Sequence, residues 1–171
     1  VDRHLGIGGL GQVAVQYAKT MGLHVAALDA TEEKLALARA SGAEVTVNAK
    51  APDAAAQVVK GTVGGAHGVL VTAVSPAAFA QALKLVRRKG TVSLVGLPPG
   101  EFQTPIFDVV MNRITIRGLI VGGREDLAEA IAFAADGKVR AEIRKLKLED
   151  INQVFTDRKA GTINGRVVLM M

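Results

Sequence analysis

The sequence contains no cysteine, which excludes disulfides and thiolate metal sites. Its three histidines, His4, His24 and His67, are far apart and form no H-x-x-x-H pattern, so the usual imidazole spacing of a metal site is missing as well. Aromatic residues are scarce, with no Trp, one Tyr (Tyr17) and five Phe. A single-strand nucleic-acid binder needs aromatic platforms among its basic residues. Here the basic stretches, Arg87-Arg88-Lys89 and residues 140–147, stand without them, and despite a net charge of +5 they read as solvated surface patches. No run approaches the roughly 18 apolar residues of a membrane span. Asp2, Arg3 and His4 occupy the place where a signal peptide would begin its apolar stretch. The chain is therefore expected to be cytoplasmic. It begins with Val rather than Met, as a fragment or a processed chain would.

What is present is aliphatic. Of the 171 residues, 49% are hydrophobic and 19 are Gly. A core of Val, Leu, Ile and Ala suits a parallel sheet covered by helices on both faces, and frequent Gly suits tight strand-to-helix turns. The length fits one domain, or one domain with an appendage. Along the chain, short apolar runs alternate with amphipathic stretches. Leu10, Val13, Ala14, Tyr17, Ala18 and Met21 recur at helical spacing before Gly22. Strands are predicted over residues 24–28, 45–48, 68–73, 91–95 and 114–121. Helices are predicted over 32–40 behind a Thr31 cap, over 52–63, from Pro76 to about 86, and over 126–135. Alternation of this kind implies a Rossmann-type, doubly wound α/β fold. Beyond residue 138 the pattern changes to a charged run (141–148), a helix (149–158) and a last strand (166–169). The expected division is residues 1–138 as a nucleotide-binding domain and 139–171 as a C-terminal helix-strand segment.

The motif that carries chemistry is Gly6-Ile7-Gly8-Gly9-Leu10-Gly11. In a G-x-G-x-x-G loop the first glycine allows a tight turn, the second lets backbone approach a pyrophosphate, and the third lets the helix pack closely. The helix N-terminus then offers N–H groups and partial positive charge to phosphate. Asp29 closes the next strand, eighteen residues after Gly11. A carboxylate there accepts hydrogen bonds from ribose hydroxyls and repels a 2′-phosphate, which favours NAD over NADP; the plainer reading is a helix-capping Asp. Lys34, one turn further on, either reaches the same ribose or is an exposed helix lysine.

These residues, with Ala14-Val-Gln-Tyr-Ala-Lys, Gly65-Ala-His-Gly-Val-Leu-Val-Thr-Ala-Val-Ser-Pro, Gly96-Leu-Pro-Pro-Gly, Ile116-Arg-Gly and Gly161-x-x-x-Gly165-Arg-Val-Val, together resemble the bacterial zinc-dependent alcohol dehydrogenases of the medium-chain dehydrogenase/reductase superfamily. The resemblance runs from Leu5 onward. It implies that Asp29 and Lys34 contact the adenosine ribose, and that Thr72, Ala73 and Val74 pass beneath the cofactor. It implies that Val95, Gly96 and Leu97, with Leu119, Ile120 and Val121, surround the nicotinamide, and that Arg166 reaches back to the pyrophosphate. Arg suits phosphate because its fork pairs with two oxygens; the alternative for Arg166 is a strand-end surface charge.

The resemblance also implies what is missing. Family members carry an N-terminal catalytic domain with a Cys/His/Cys catalytic zinc and a four-Cys structural zinc, and this chain has no residues for either. Residues from about Val139 onward correspond to the return of that domain. The family's activity, reversible hydride transfer between a zinc-bound primary alcohol and NAD, is then expected only of a complete protein. The alternatives are a stand-alone nucleotide-binding or dimerising fragment, and the cofactor domain of another medium-chain reductase such as a quinone or enoyl reductase. The implied homo-oligomer pairs the strand near residues 114–121 with its copy across a two-fold axis. Neither a nucleic-acid nor a membrane partner is expected. One local departure remains. The family's first strand is apolar, whereas Val1-Asp2-Arg3-His4-Leu5 is not. Burying Asp2 and Arg3 in a central strand costs several kcal/mol on an order-of-magnitude scale, so that strand is expected to be short, frayed or missing.

Overall fold

The computed structural model describes residues 2–171, with side chains described from Gly6 onward. Six strands form one parallel sheet: β1 (Asp2–Leu5), β2 (Val25–Asp29), β3 (Val45–Asn48), β4 (Ala66–Val71), β5 (Val86–Leu94) and β6 (Thr115–Gly118). Their order is β3-β2-β1-β4-β5-β6, the doubly wound arrangement. The connecting helices are α1 (Gly11–Thr20), α2 (Glu32–Ala40), α3 (Ala54–Gly61), α4 (Pro76–Ala82) and α5 (Ile106–Asn112). After β6 come α6 (Arg124–Ala135), β7 (Ile143–Lys147), α7 (Ile151–Ala160) and β8 (Arg166–Met170), and β7 and β8 pair as a separate two-stranded parallel sheet.

The sheet divides two apolar cores. Val25 and Ala27 of β2 pack with Ile7, Val15, Ala18 and Ala38 on the α1/α2 face. Leu28, Val69, Val71 and Val92 pack with Val58, Phe79 and Leu85 on the α3/α4 face. Successive residues of a strand point to opposite faces, so a strand between two helical layers must be apolar throughout. β2 is buried at every position.

The first strand meets its expectation in one of the three ways it allowed: β1 is short, at four residues, and it is neither frayed nor missing. Asp2–Leu5 pairs in continuous register with Val25–Leu28 on one side and Gly68–Val71 on the other. Ladder bonds are made by main-chain groups whatever the side chain. Without β1, the inner edges of β2 and β4 would each bury a row of unpaired N–H and C=O groups. The side chains of Asp2 and Arg3, and all of Val1, lie outside the described residues.

Other boundaries moved. β5 starts at Val86 rather than Thr91, because Val86 pairs with Ala66; a register shift before the Gly68–Thr91 pair then throws out the Arg87-Arg88-Lys89 stretch as a bulge. The helix expected to reach residue 86 therefore stops at Ala82. α3 is shorter than residues 52–63, and β7 forms within the run expected to be merely charged. β6 is confined to Thr115–Gly118, leaving Leu119, Ile120 and Val121 in the loop before α6. α5 has no counterpart in the sequence reading.

Candidate functional site

In a doubly wound sheet, ligands bind beyond the carboxyl ends of the strands where the winding direction reverses. Here that place is between β1 and β4. The glycine loop leaves the end of β1, Asp29 ends β2, and Thr72 to Val74 follow β4. Together these segments border a cleft of about 1350 Å³.

The loop's glycines do different work. Gly6 has φ +96°, and an added Cβ would lie 2.8 Å from the Ala73 nitrogen. A Cβ on Gly11 would fall 2.0 Å from the Gly6 carbonyl oxygen, so α1 abuts the turn it leaves. A Cβ on Gly8 meets nothing within 4 Å. Gly8 is thus bare toward the cleft for reasons that internal packing does not supply. A Cβ on Gly9 would run into the Arg166 side chain, 2.6 Å from Nε, which places the guanidinium on the loop. The first turn of α1, whose N–H groups lack intrahelical partners, opens at the same point and holds no acidic residue.

Asp29 is 8% exposed. Its Oδ2 accepts a hydrogen bond from the buried Ile7 N–H at 2.7 Å, and Oδ1 accepts one from Ala30 N–H at 2.7 Å. The carboxylate therefore ties β2 to the glycine loop, a role the sequence reading missed. It does not cap α2, whose N-cap position is Thr31, and Thr31 makes no side-chain cap bond. A carboxylate has about four acceptor sites, so two N–H donors leave capacity on the cleft side, where Asp29 is part of the lining. Lys34 Nζ stands 3.9 Å from Oδ1. On the other flank, the Thr72 hydroxyl donates to the Gly6 carbonyl at 2.7 Å, tying β4 to the loop.

Of the sequence-derived candidates, Gly6, Gly8, Gly9, Leu10, Gly11, Asp29, Lys34, Thr72, Ala73, Val74 and Arg166 all line this cleft. Val95, Gly96, Leu97, Leu119, Ile120 and Val121 do not. Val95 and Gly96 N–H groups both donate to the Val71 carbonyl, at 3.0 and 2.9 Å. A Cβ on Gly96 would sit 2.1 Å from the Ala73 oxygen, so the chain after β5 is pressed against the chain after β4. Leu97 is 80%, Ile120 82% and Val121 95% exposed, so these apolar side chains stand open to solvent outside the cleft lining.

The sequence reading also missed Lys50, Lys84, Arg158 and Lys159, which join Lys34 and Arg166 in the lining, where Asp29 is the only acid among the described residues. The cleft is thus strongly cationic with one carboxylate, and its field draws in an anion. No sequence motif marks those four, because they reach the cleft from separate elements. For a metal the residues do not fit. Among the described residues there is no group of three or more His, Cys, Asp or Glu able to hold an ion. Nor is any helix among them long and apolar enough to cross a membrane.

The comparisons with known proteins agree with this geometry. A family model described as zinc-binding dehydrogenase matches residues 9–136. An alcohol dehydrogenase of Rhizobium meliloti (strain 1021) is 57% identical over 164 residues, which are 96% of this chain and 48% of that protein. An alcohol dehydrogenase of Geobacillus stearothermophilus is also 57% identical, with the same coverage. Among solved structures, the alcohol dehydrogenase of the archaeon Aeropyrum pernix superposes with a TM-score of 0.93 at 35% identity, over 99% of this chain and 50% of that one. Acetophenone reductase from Geotrichum candidum, solved in complex with NAD, superposes at 0.81 with 28% identity, over 97% of this chain and 47% of that one. The chain spans about half the length of the curated relatives it matches. It belongs to the zinc-binding dehydrogenase family, with residues 9–136 matching the family model and the Rossmann sheet they build superposing on the family's solved structures.

Proposed function

We propose that this chain binds NAD(H) in the cleft between β1 and β4, as the cofactor-holding part of an oxidoreductase. In its complete form that enzyme passes hydride between a zinc-bound primary alcohol, or its aldehyde, and NAD. The observation that carries the reading is Gly8. It is bare toward a cationic cleft, beside the first turn of α1, and among the described residues nothing beyond its two chain neighbours lies within 4 Å of the position a Cβ would take.

The residues present fit a dinucleotide. Backbone at Gly8 and Gly9 and the first turn of α1 accept the pyrophosphate, and Arg166, lying on Gly9, closes over it. The open acceptor sites of Asp29 take the ribose hydroxyls. Lys34 neutralises that carboxylate from 3.9 Å without displacing its N–H donors. A 2′-phosphate would meet Asp29 head-on, so NADH is preferred to NADPH. When bound, the nicotinamide supplies the hydride acceptor. The chain's part is to hold the dinucleotide extended toward the carboxyl ends of β5 and β6, after which Leu97, Ile120 and Val121 stand exposed. Residues 139–171, with their separate β7–β8 sheet, belong in this reading to the family's catalytic domain. Support for NAD comes from the acetophenone reductase complex and from Asp29.

Calorimetric titration tests the reading. NADH should bind and NADPH should bind at least tenfold more weakly, about 1.4 kcal/mol. Equal or tighter NADPH binding contradicts the role of Asp29. The 171 residues alone should produce no NADH from ethanol, NAD and zinc, because the sequence has no cysteine and no group able to hold a zinc stands among the described residues. Turnover in that assay removes this part of the proposal.

A further inference from the structure

We propose that Gln12 and Gln16 form a backbone clamp that positions Arg166 over the glycine loop. The inference rests on the nucleotide reading above for its consequence, but not for its geometry. Both glutamines lie on α1, one turn apart. Gln16 accepts from the Arg140 N–H through Oε1 at 2.8 Å and donates to the Arg140 carbonyl through Nε2 at 2.9 Å. Gln12, 1% exposed, does the same to Glu142, at 3.1 and 3.4 Å. Each side chain thus grips one residue by both main-chain groups, as a neighbouring strand would. The spacings match. Four helical residues rise about 6 Å, and two extended residues span about 6.6 Å, so i and i+4 on the helix meet alternate residues of the segment.

The grip reaches Arg166 in one further step. The Glu142 carbonyl, held by Gln12, also accepts the Arg166 N–H at 2.9 Å, and the next residue, Ile143, opens the β7–β8 ladder opposite Arg166. Gly165, with φ +73°, allows the approach, since a Cβ there would lie 2.5 Å from the same Glu142 oxygen. The helix whose first turn faces the phosphate site therefore also sets where the guanidinium stands. Gln12 and Gln16 are positioning residues acting through main chain, and they touch no nucleotide themselves.

Two measurements decide this. By amide hydrogen exchange on the nucleotide-free chain, Gln12→Leu should speed exchange at Glu142 and also at Arg166, on the order of tenfold, while Val15 and Ala18 keep their protection. Deprotection that stops at Glu142 makes the contact merely local and overturns the proposal. By NADH titration, Gln12→Leu and Arg166→Ala should each weaken binding roughly three- to tenfold, and the double variant should bind no more weakly than Arg166→Ala alone. Additive losses overturn the coupling. Gln12→Glu keeps the acceptor for the Glu142 N–H and should recover part of the loss. Should buried Gln12→Leu fail to fold, half-buried Gln16→Leu should speed exchange at Arg140 and, through the same segment, at Arg166, and deprotection that stops at Arg140 overturns the proposal. If the unaltered chain does not bind NADH, the proposed function fails, and the exchange experiment still decides the clamp.

Discussion

Adding one methyl group at Gly8 and at Gly11 should have opposite consequences. The Gly8 position is open, and its φ is not positive. Gly8→Ala should therefore fold with an unchanged midpoint while losing NADH affinity on the order of 10- to 100-fold, the worth of one or two charge-assisted hydrogen bonds. Gly11→Ala has no such room, since its Cβ would overlap the Gly6 carbonyl. It should cost about 1–3 kcal/mol or more in a urea titration. Matching unfolding curves for the two variants would remove the distinction drawn between a ligand-facing and a packing glycine. Asp29 separates in a similar way. Asp29→Ala strands the buried Ile7 N–H and should cost about 1–3 kcal/mol. Asp29→Asn keeps an oxygen for Ile7 but turns its NH2 toward the Ala30 N–H, so it should cost less stability than Asp29→Ala while the preference for NADH over NADPH narrows. The two assays together show whether the tie to the loop and the nucleotide preference reside in different atoms of one side chain.

At the scale of elements, α1 carries more than its apolar stripe. Besides the two glutamines, the Tyr17 hydroxyl donates to the Ala130 carbonyl at 3.0 Å, and its ring meets Phe133 edge-on at 5.4 Å. Tyr17→Phe keeps the ring contact and loses the hydrogen bond. It should destabilise by about 0.5–1.5 kcal/mol in chemical denaturation, with faster exchange on α6 than elsewhere. Near the other end of α1, Lys19 and His24 flank Glu44 and hold its carboxyl below the ordinary Glu range. A carboxyl with a depressed folded-state pKa stabilises above its unfolded value and loses that contribution as pH falls through the folded value. Glu44→Gln should lower stability slightly at neutral pH, converge with the unaltered chain at low pH, and so flatten the acid limb of a stability-against-pH curve. An unaltered acid limb would mean that the exposed pair contributes nothing measurable.

These elements also show where sequence reading succeeds. α2 and β3 were legible to the residue because Thr31 stands at the head of the helix and Gly42 just beyond its end, and because Val45, Thr46 and Val47 are β-branched. The glycine loop and Asp29 were legible because their chemistry is local. β1 is short as its polar residues implied, but its continuous pairing with β2 and β4 was not legible, because ladder bonds are made by main-chain groups and leave no mark in side-chain polarity. α5 was invisible because its seven residues bury none of their number and follow Pro105 instead of a capping residue. The glutamine clamp and the remote cleft cations have partners more than a hundred residues distant or none in sequence at all, and no periodicity reports such contacts.

For the whole molecule, the open question is what covers the apolar surface on the β6 side. β6 is an edge strand, four residues long, and an unpaired edge is a template for another strand. Around it α5 leaves Ile106, Phe107, Val110 and Met111 exposed, and the following loop leaves Ile120 and Val121 so. Isolated surface hydrophobes are ordinary, but a contiguous group marks a contact surface. A two-fold pairing of β6 with its copy would continue the sheet and cover the group in one step, since a symmetric contact uses the same patch twice. Light scattering across a concentration series should then show a mass approaching twice 17.8 kDa. Phe107→Asp, on the outer face of α5 and away from the cleft lining, should return the monomer without altering NADH affinity. A monomer at every concentration would count against the pairing. Dimers indifferent to Phe107→Asp would move the interface elsewhere, to the surface around α6 where Leu127 and Ile131 are also bare.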